Sequence, residues 1–290
     1  KSKRLDAITK GFDAGYVKPS VVVNSPTKQE PKPKPKVLTY EDYFYRAVDK
    51  HQSNDKQGAI SDYNQSIKLN PKFAPAFHNR GVVKDDLKNY QDAIKDFDVA
   101  ISLLPDYPLY YYNRAVSKNN IEDYKGVISD LDQVIKNDST NVIAFKFRGQ
   151  SKYNLEMYKE AISDFNTAIS LDNTYSELYY LRGTCKGFFR NHSEAIKDFD
   201  KAISIDSTIS IYYSNRAVSK IKIKDFSGAV EDYSMLIEFN NSDPESYIKR
   251  AGVKYKMNDK DGACEDWTKA NELGSEDAQE KLKKFCRIYQ

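Results

Sequence analysis

The side chains of this 290-residue chain that could do chemistry fall at one regular spacing. Seven of its ten arginines, Arg46, Arg80, Arg114, Arg148, Arg182, Arg216 and Arg250, stand 34 residues apart. Four residues after each comes a lysine: Lys50, Lys84, Lys118, Lys152, Lys186, Lys220 and Lys254. Sixteen residues after each arginine comes an aspartate: Asp62, Asp96, Asp130, Asp164, Asp198, Asp232 and Asp266. Fourteen cations in register would suit a polyanionic ligand. Alternatively each guanidinium is held by two parallel bonds to its aspartate while its stem covers apolar surface. Equal counts and a fixed register favour the second reading, a structural ion-pair ladder.

Other chemistry has little to work with. The three histidines are His51, His78 and His192, and no nucleophile elbow, P-loop or glycine-rich phosphate cradle is present. The expectation is a chain that is not an enzyme and carries no cofactor or metal. Hydrophobic residues make up 40%, charged residues 30%, and the mean hydropathy is −0.72. No apolar run approaches the roughly 18–20 residues needed to cross a bilayer, so insertion into a membrane is not expected. Three cysteines are too few for a disulfide-dense scaffold. Residues 1–39 carry nine Lys/Arg against three Asp/Glu, leaving −3 for residues 40–290. A nucleic-acid footprint would put the positive charge on the folded part, so no nucleic-acid partner is expected.

The elements that position the ladder follow from the same period. Units begin at residues 40, 74, 108, 142, 176, 210 and 244, without an insertion. Numbering each unit from 1, position 4 is always aromatic, from Tyr43 and Phe77 to Tyr247. Position 8 is always Ala or Gly, and position 20 is Ala except for Val127. Position 24 is Tyr63, Phe97, Leu131, Phe165, Phe199, Tyr233 and Trp267. Positions 4, 8 and 11 lie on one helical stripe and 20, 24 and 27 on another. Turn formers such as Asn54-Asp55 separate them. Each unit therefore reads as two helices that approach closely at the small residues and must stack on neighbouring units to bury their faces.

These registers resemble the tetratricopeptide repeat, W-x₂-L-G-x₂-Y…A-x₃-F…P, over residues 40–277. The sequence departs from that pattern in its Arg and Lys at positions 7 and 11, and in keeping the proline at position 32 only as Pro71 and Pro105. The resemblance implies an all-α, right-handed superhelical solenoid whose first helices line a concave groove. Groove positions 5, 9 and 12 hold Phe44, Val48 and His51; His78, Val82 and Asp85; Tyr112, Val116 and Asn119; and Lys146, Gln150 and Tyr153. They continue with Tyr180, Thr184 and Gly187; Ser214, Val218 and Ile221; and Ile248, Gly252 and Tyr255. A merely solvated face would be mostly Lys, Glu and Asp. This mixture suits an extended peptide or partner helix, with rings as anchors and amides for orientation.

The acidic-peptide clamp of chaperone-binding family members is absent. Lys146 and Gln150 are its nearest start, but Leu181, Ile211 and Asn215 occupy its remaining places. His51 and His78 fall on neighbouring units, but two ligands fall short of the four of a closed zinc site. The expected function is a non-catalytic scaffold or adaptor for a protein or peptide partner. The rivals are a regulatory region of a larger enzyme and a structural spacer. The oligomeric state is open.

The ends carry separate expectations. Residues 1–39 hold five of the ten prolines, with Pro31, Pro33 and Pro35 alternating with Lys32, Lys34 and Lys36. They read as an extended tether, with a docking segment that includes Val21-Val22-Val23 as the alternative. Residues 278–290 should form a helix that caps the seventh unit through Leu282, Phe285 and Tyr289. Position 21 is Ile or Val in six units and Cys264 in the seventh, so Cys264 faces the cap and its Cys286. The ending Gly262-Ala263-Cys264-Glu265-Asp266-Trp267 resembles that of Bacteroidetes tetratricopeptide proteins. The two cysteines are either a disulfide, which would imply export, or two buried thiols. Cys185 is expected as a lone thiol. The cysteine pair, the spacer and the start without Met favour a bacterial periplasmic or cell-envelope role over a cytoplasmic one.

Overall fold

The computed structural model describes residues 37–286. The chain divides into two units, residues 1–38 and 39–290, and all fifteen helices among the described residues belong to the second. They form seven pairs: α1 (Tyr40–Gln52) with α2 (Lys56–Leu69), α3 (Ala74–Asp86) with α4 (Tyr90–Leu103), α5 (Pro108–Asn120) with α6 (Tyr124–Asn137), and α7 (Val142–Asn154) with α8 (Tyr158–Leu171). The row continues with α9 (Ser176–Phe188) and α10 (His192–Ile205), α11 (Ser210–Lys222) and α12 (Phe226–Phe239), and α13 (Pro244–Lys256) and α14 (Lys260–Glu272). Helix α15 (Glu276–Phe285) closes it. Each helix packs on the next along the chain. First helices also touch first helices, α1 with α3, α3 with α5, α7 with α9 and α9 with α11. The row therefore curves with its first helices inside. The expected polyproline tether, Val21-Val22-Val23 and Tyr289 lie outside the described residues.

Every pair closes through the same turn. Position 15 is left-handed in all seven units, with φ between 58° and 66° at Asn54, Lys88, Glu122, Glu156, Arg190, Lys224 and Asn258. The N–H that follows reaches back to the carbonyl of the position-11 lysine, as Asp55 does to Lys50 (2.8 Å) and Asp123 to Lys118 (2.9 Å). This satisfies a terminal carbonyl of the first helix. Asparagine tolerates that backbone and the other residues resist it, so the turn is imposed by the packing of the two helices it joins.

The units come in two variants with matched contents. In units 1, 3, 6 and 7 an aspartate caps the second helix by accepting the N–H of a glycine three residues on, as Asp123 does from Gly126 at 3.0 Å. In units 2, 4 and 5 the cap position is Asn89, Met157 or Asn191, and an acidic residue, Asp92, Glu160 or Glu194, stands in the first turn. There its charge meets the positive helix end. Those same three units place Gly81, Gly149 and Gly183 against the rings of Phe97, Phe165 and Phe199. A Cβ on Gly149 would lie 2.6 Å from Phe165 Cε1. The other four put alanine opposite Tyr63, Leu131, Tyr233 or Trp267. Position 31 makes an Asx turn: Asp138, Asp172 and Asp206 each accept from the N–H and hydroxyl of a threonine two residues on, and Asn70, beside Pro71, accepts from the N–H of Lys72.

At the C-terminus Leu282, Cys286 and Trp267 share one core with Ala251 and Ala263. Cys264 and Cys286 are joined by a disulfide across a Cα separation of 5.9 Å. Cys185 is a free, fully buried thiol whose pKa burial pushes up to about 12.

Candidate functional site

The arginine ladder is internal to the scaffold. In unit 4, Arg148 Nε and Nη2 donate to Asp164 Oδ2 and Oδ1 at 3.0 and 2.6 Å, and Lys152 Nζ lies 2.7 Å from the same carboxylate. Arg46–Asp62, Arg80–Asp96, Arg114–Asp130, Arg182–Asp198, Arg216–Asp232 and Arg250–Asp266 repeat the arrangement. All seven aspartates are buried. Each guanidinium also lies over the position-4 ring of its own unit, as Arg148 does at 5.3 Å from the Phe145 centroid. The third nitrogen, Nη1, reaches back to position 25 of the preceding unit: Arg80 to Asn64, Arg114 to Asp98, Arg148 to Asp132, Arg182 to Asn166, Arg216 to Asp200 and Arg250 to Ser234. The sequence reading missed this link between units, although the polar residue at position 25 was its visible signal. One side chain therefore joins two helices of one unit to the unit before. The hydrogen bonds from Arg46 and Lys50 hold the Asp62 carboxyl below its ordinary pKa against the opposing effect of burial.

The inner wall is wired along the row. His78 is buried and stacks on Tyr110 of the next unit, with centroids 4.7 Å apart. Its Nε2 is 2.7 Å from Asn113 Nδ2 and its Nδ1 2.9 Å from Asn79 Oδ1. With Asn113 donating, this pattern fits a neutral ring, and burial takes its pKa down to about 4. Two units on, Lys146 and Gln150, also buried, both reach Glu177 of the following unit, at 2.6 and 3.1 Å. Tyr180 accepts from Asn215 at 3.2 Å and lies 5.1 Å from Tyr212. His51 meets Asp86 at 2.8 Å rather than His78. Among the described residues no group of three or more His, Cys, Asp or Glu could hold a metal.

The remaining groove positions divide between core and surface. Phe44 and Val48 pack on the first core, Tyr153 on the fourth, and Ile248 and Tyr255 on the last, all half-buried. Val82, Tyr112, Val116, Asn119, Thr184 and Ser214 are half-buried on the wall, and Val218 is exposed. The sequence reading weighed position 6 only as a place in the acidic-peptide clamp. There Asn113 and Asn215 bridge to the preceding unit, while Phe147 and Leu181 are buried. What the arrangement offers chemically is a wall of rings, aliphatic side chains and amides, pre-ordered by contacts between units. Among the described residues no helix is long and apolar enough to cross a membrane.

The tetratricopeptide-repeat profile matches residues 147–175 and 176–209. No curated protein matches the sequence. Among solved structures, the chain is similar to the C-terminal part of a repeat protein from Cytophaga hutchinsonii, with a TM-score of 0.73, 20% identity, and coverage of 83% of this chain and 99% of that one. A tetratricopeptide repeat protein from Parabacteroides merdae gives a TM-score of 0.60 at 19% identity, over 84% and 97% of the two chains. YrrB, described as having an unusual peptide-binding site, gives 0.57 at 17% identity, over 65% and 97%. At these identities the likeness concerns the fold alone. With the profile falling on its central units and the same helix pair recurring along the described row, residues 147–209 are tetratricopeptide repeats and the described row has the tetratricopeptide-repeat fold.

Proposed function

We propose that this chain is a non-catalytic scaffold that binds an extended segment of a partner protein along the inner wall of its first helices. The reading is carried by the composition of that wall. Tyr112, Val116, Asn119, Tyr180, Thr184, Ser214 and Val218 stand where a purely solvated face would carry lysine and glutamate. Half-buried rings held by their neighbours lose little freedom when a partner covers them, so more of the contact energy appears as affinity. The peptide-binding site named for YrrB gives the reading a precedent within the same fold. The disulfide at the cap supports an oxidising compartment, and with it a bacterial cell-envelope location.

The test is selection of binding peptides from a random display library on the intact chain, followed by titration of the best one against Tyr112→Glu/Tyr180→Glu. The expected result is loss of binding by at least about 100-fold, as for two hot-spot rings of ~2 kcal/mol each, in a chain that stays helical by circular dichroism but melts lower because Tyr180 also bonds Asn215. Full binding by the double variant would reject the groove and favour a structural spacer.

A further inference from the structure

The turns joining first to second helices change character along the row. In units 1 to 4, turn positions 13 to 15 read Gln52-Ser53-Asn54, Asp86-Leu87-Lys88, Asn120-Ile121-Glu122 and Asn154-Leu155-Glu156. In units 5 and 6 they read Phe188-Phe189-Arg190 and Lys222-Ile223-Lys224. Phe188 and Phe189 are 55% and 54% exposed, and Ile223 46%. These are large apolar tips in water; the turns of units 1 to 4 are polar or keep their apolar residue half-buried, and unit 7 exposes Met257 (45%) in Lys256-Met257-Asn258.

The tips of unit 5 are held by a ring of unit 4. Tyr158 of unit 4 lies flat on Phe188, with centroids 4.3 Å apart and planes within 4°, and meets Phe189 edge-on at 6.4 Å. Burial lowers the pKa of His192, and the charges of Lys222 and Arg190 lower it further. Arg190, Lys222 and Lys224 are exposed and make no ion pair with any of the described residues. The adjacent carboxylate Asp225 accepts the N–H of Gly228. The left-handed backbone at Arg190 and Lys224 fixes the preceding residue, Phe189 or Ile223, at the apex of each turn.

We propose that this edge of units 5 and 6 docks on an anionic phospholipid surface, with Phe188, Phe189 and Ile223 entering the headgroup layer and Arg190, Lys222 and Lys224 meeting its phosphates. Aromatic and aliphatic tips ringed by unpaired cations are the composition of interfacial contacts. Exposed turn tips match a planar surface better than a ligand that needs a cleft. This is a contact separate from the inner wall, and the two can be tested apart.

The test uses the intact chain carrying Phe189→Trp, because the native Trp267 is buried in the cap. Vesicles of phosphatidylcholine with and without phosphatidylglycerol are the probe. The expected result is a blue shift and quenching by brominated lipid of the residue-189 fluorescence with phosphatidylglycerol vesicles only. Adding Lys222→Glu/Lys224→Glu should cut vesicle partition by roughly tenfold or more, since each lysine near such a surface is worth about fivefold. Tyr112→Glu/Tyr180→Glu should leave it unchanged. The basic residues 1–39 also attract anionic vesicles. Vesicle binding with silent residue-189 fluorescence would assign the contact to them and overturn the proposal. A fluorescence response to soluble polyglutamate but not to vesicles would make the edge a peptide site and overturn it equally.

Discussion

At the scale of the residue, each position-7 arginine carries three loads, and its removal should be felt locally. Arg114→Ala deprives Asp130 of two bonds and Asp98 of one, while Lys118 remains 2.9 Å from Asp130. Breaking a buried pair costs about 3–5 kcal/mol, and the surviving lysine places the loss near the lower end. Thermal unfolding should reveal it while peptide affinity stays nearly intact. The pairing of small residue with ring can be tested as sharply. Gly149→Ala gains up to about 1 kcal/mol of helix propensity but drives a Cβ into Phe165, an overpacking cost of about 1–3 kcal/mol. We expect net destabilisation, reversed in the Phe165→Leu background, which recreates the Ala115–Leu131 pair of unit 3. A double-mutant cycle with no coupling would contradict the argument. His78 supplies a pH signature. Its folded pKa of about 4 lies below the ordinary 6.5, so the unfolded chain binds more protons between those values and stability falls as pH falls through that window. Roughly 2 kcal/mol should be lost between pH 7 and 4.5 through this residue, and urea unfolding of His78→Gln should lack that part of the slope.

At the scale of the element, the 34-residue register was legible because every unit obeys it, and the helix pairs follow from the spacing of small and aromatic positions. The turn was less legible. Nothing about Lys88, Glu122 or Arg190 announces a left-handed backbone, since packing of the two helices imposes it against their preference. The groove was half legible. Position gave the face, but burial of His78, Lys146 and Gln150 depends on side chains from the next unit, which sequence spacing does not weigh. The cysteine pair was open between two states until the cap helix brought Cys286 to Cys264. Closing a loop of that 22-residue separation stabilises by about 3 kcal/mol in the chain-entropy account. Reduction should therefore lower the first unfolding transition and raise Trp267 exposure, with a two-dalton increase in intact mass. An unchanged mass would remove both the staple and the argument for an oxidising compartment.

At the scale of the whole molecule, stability in a stacked row is a sum of unit and nearest-neighbour terms. The bonds from arginine to position 25 and from position 5 to the next unit are the neighbour terms made visible. They tie the inner wall of each unit to the next, which is what the proposed scaffold would require of its groove. The most direct test is amide hydrogen exchange on the intact chain with and without the selected peptide. The account predicts added protection in first helices α3, α5, α7, α9 and α11, with second helices α4, α6, α8, α10 and α12 unchanged. Protection confined to the second helices, or to the ends of the row, would contradict it.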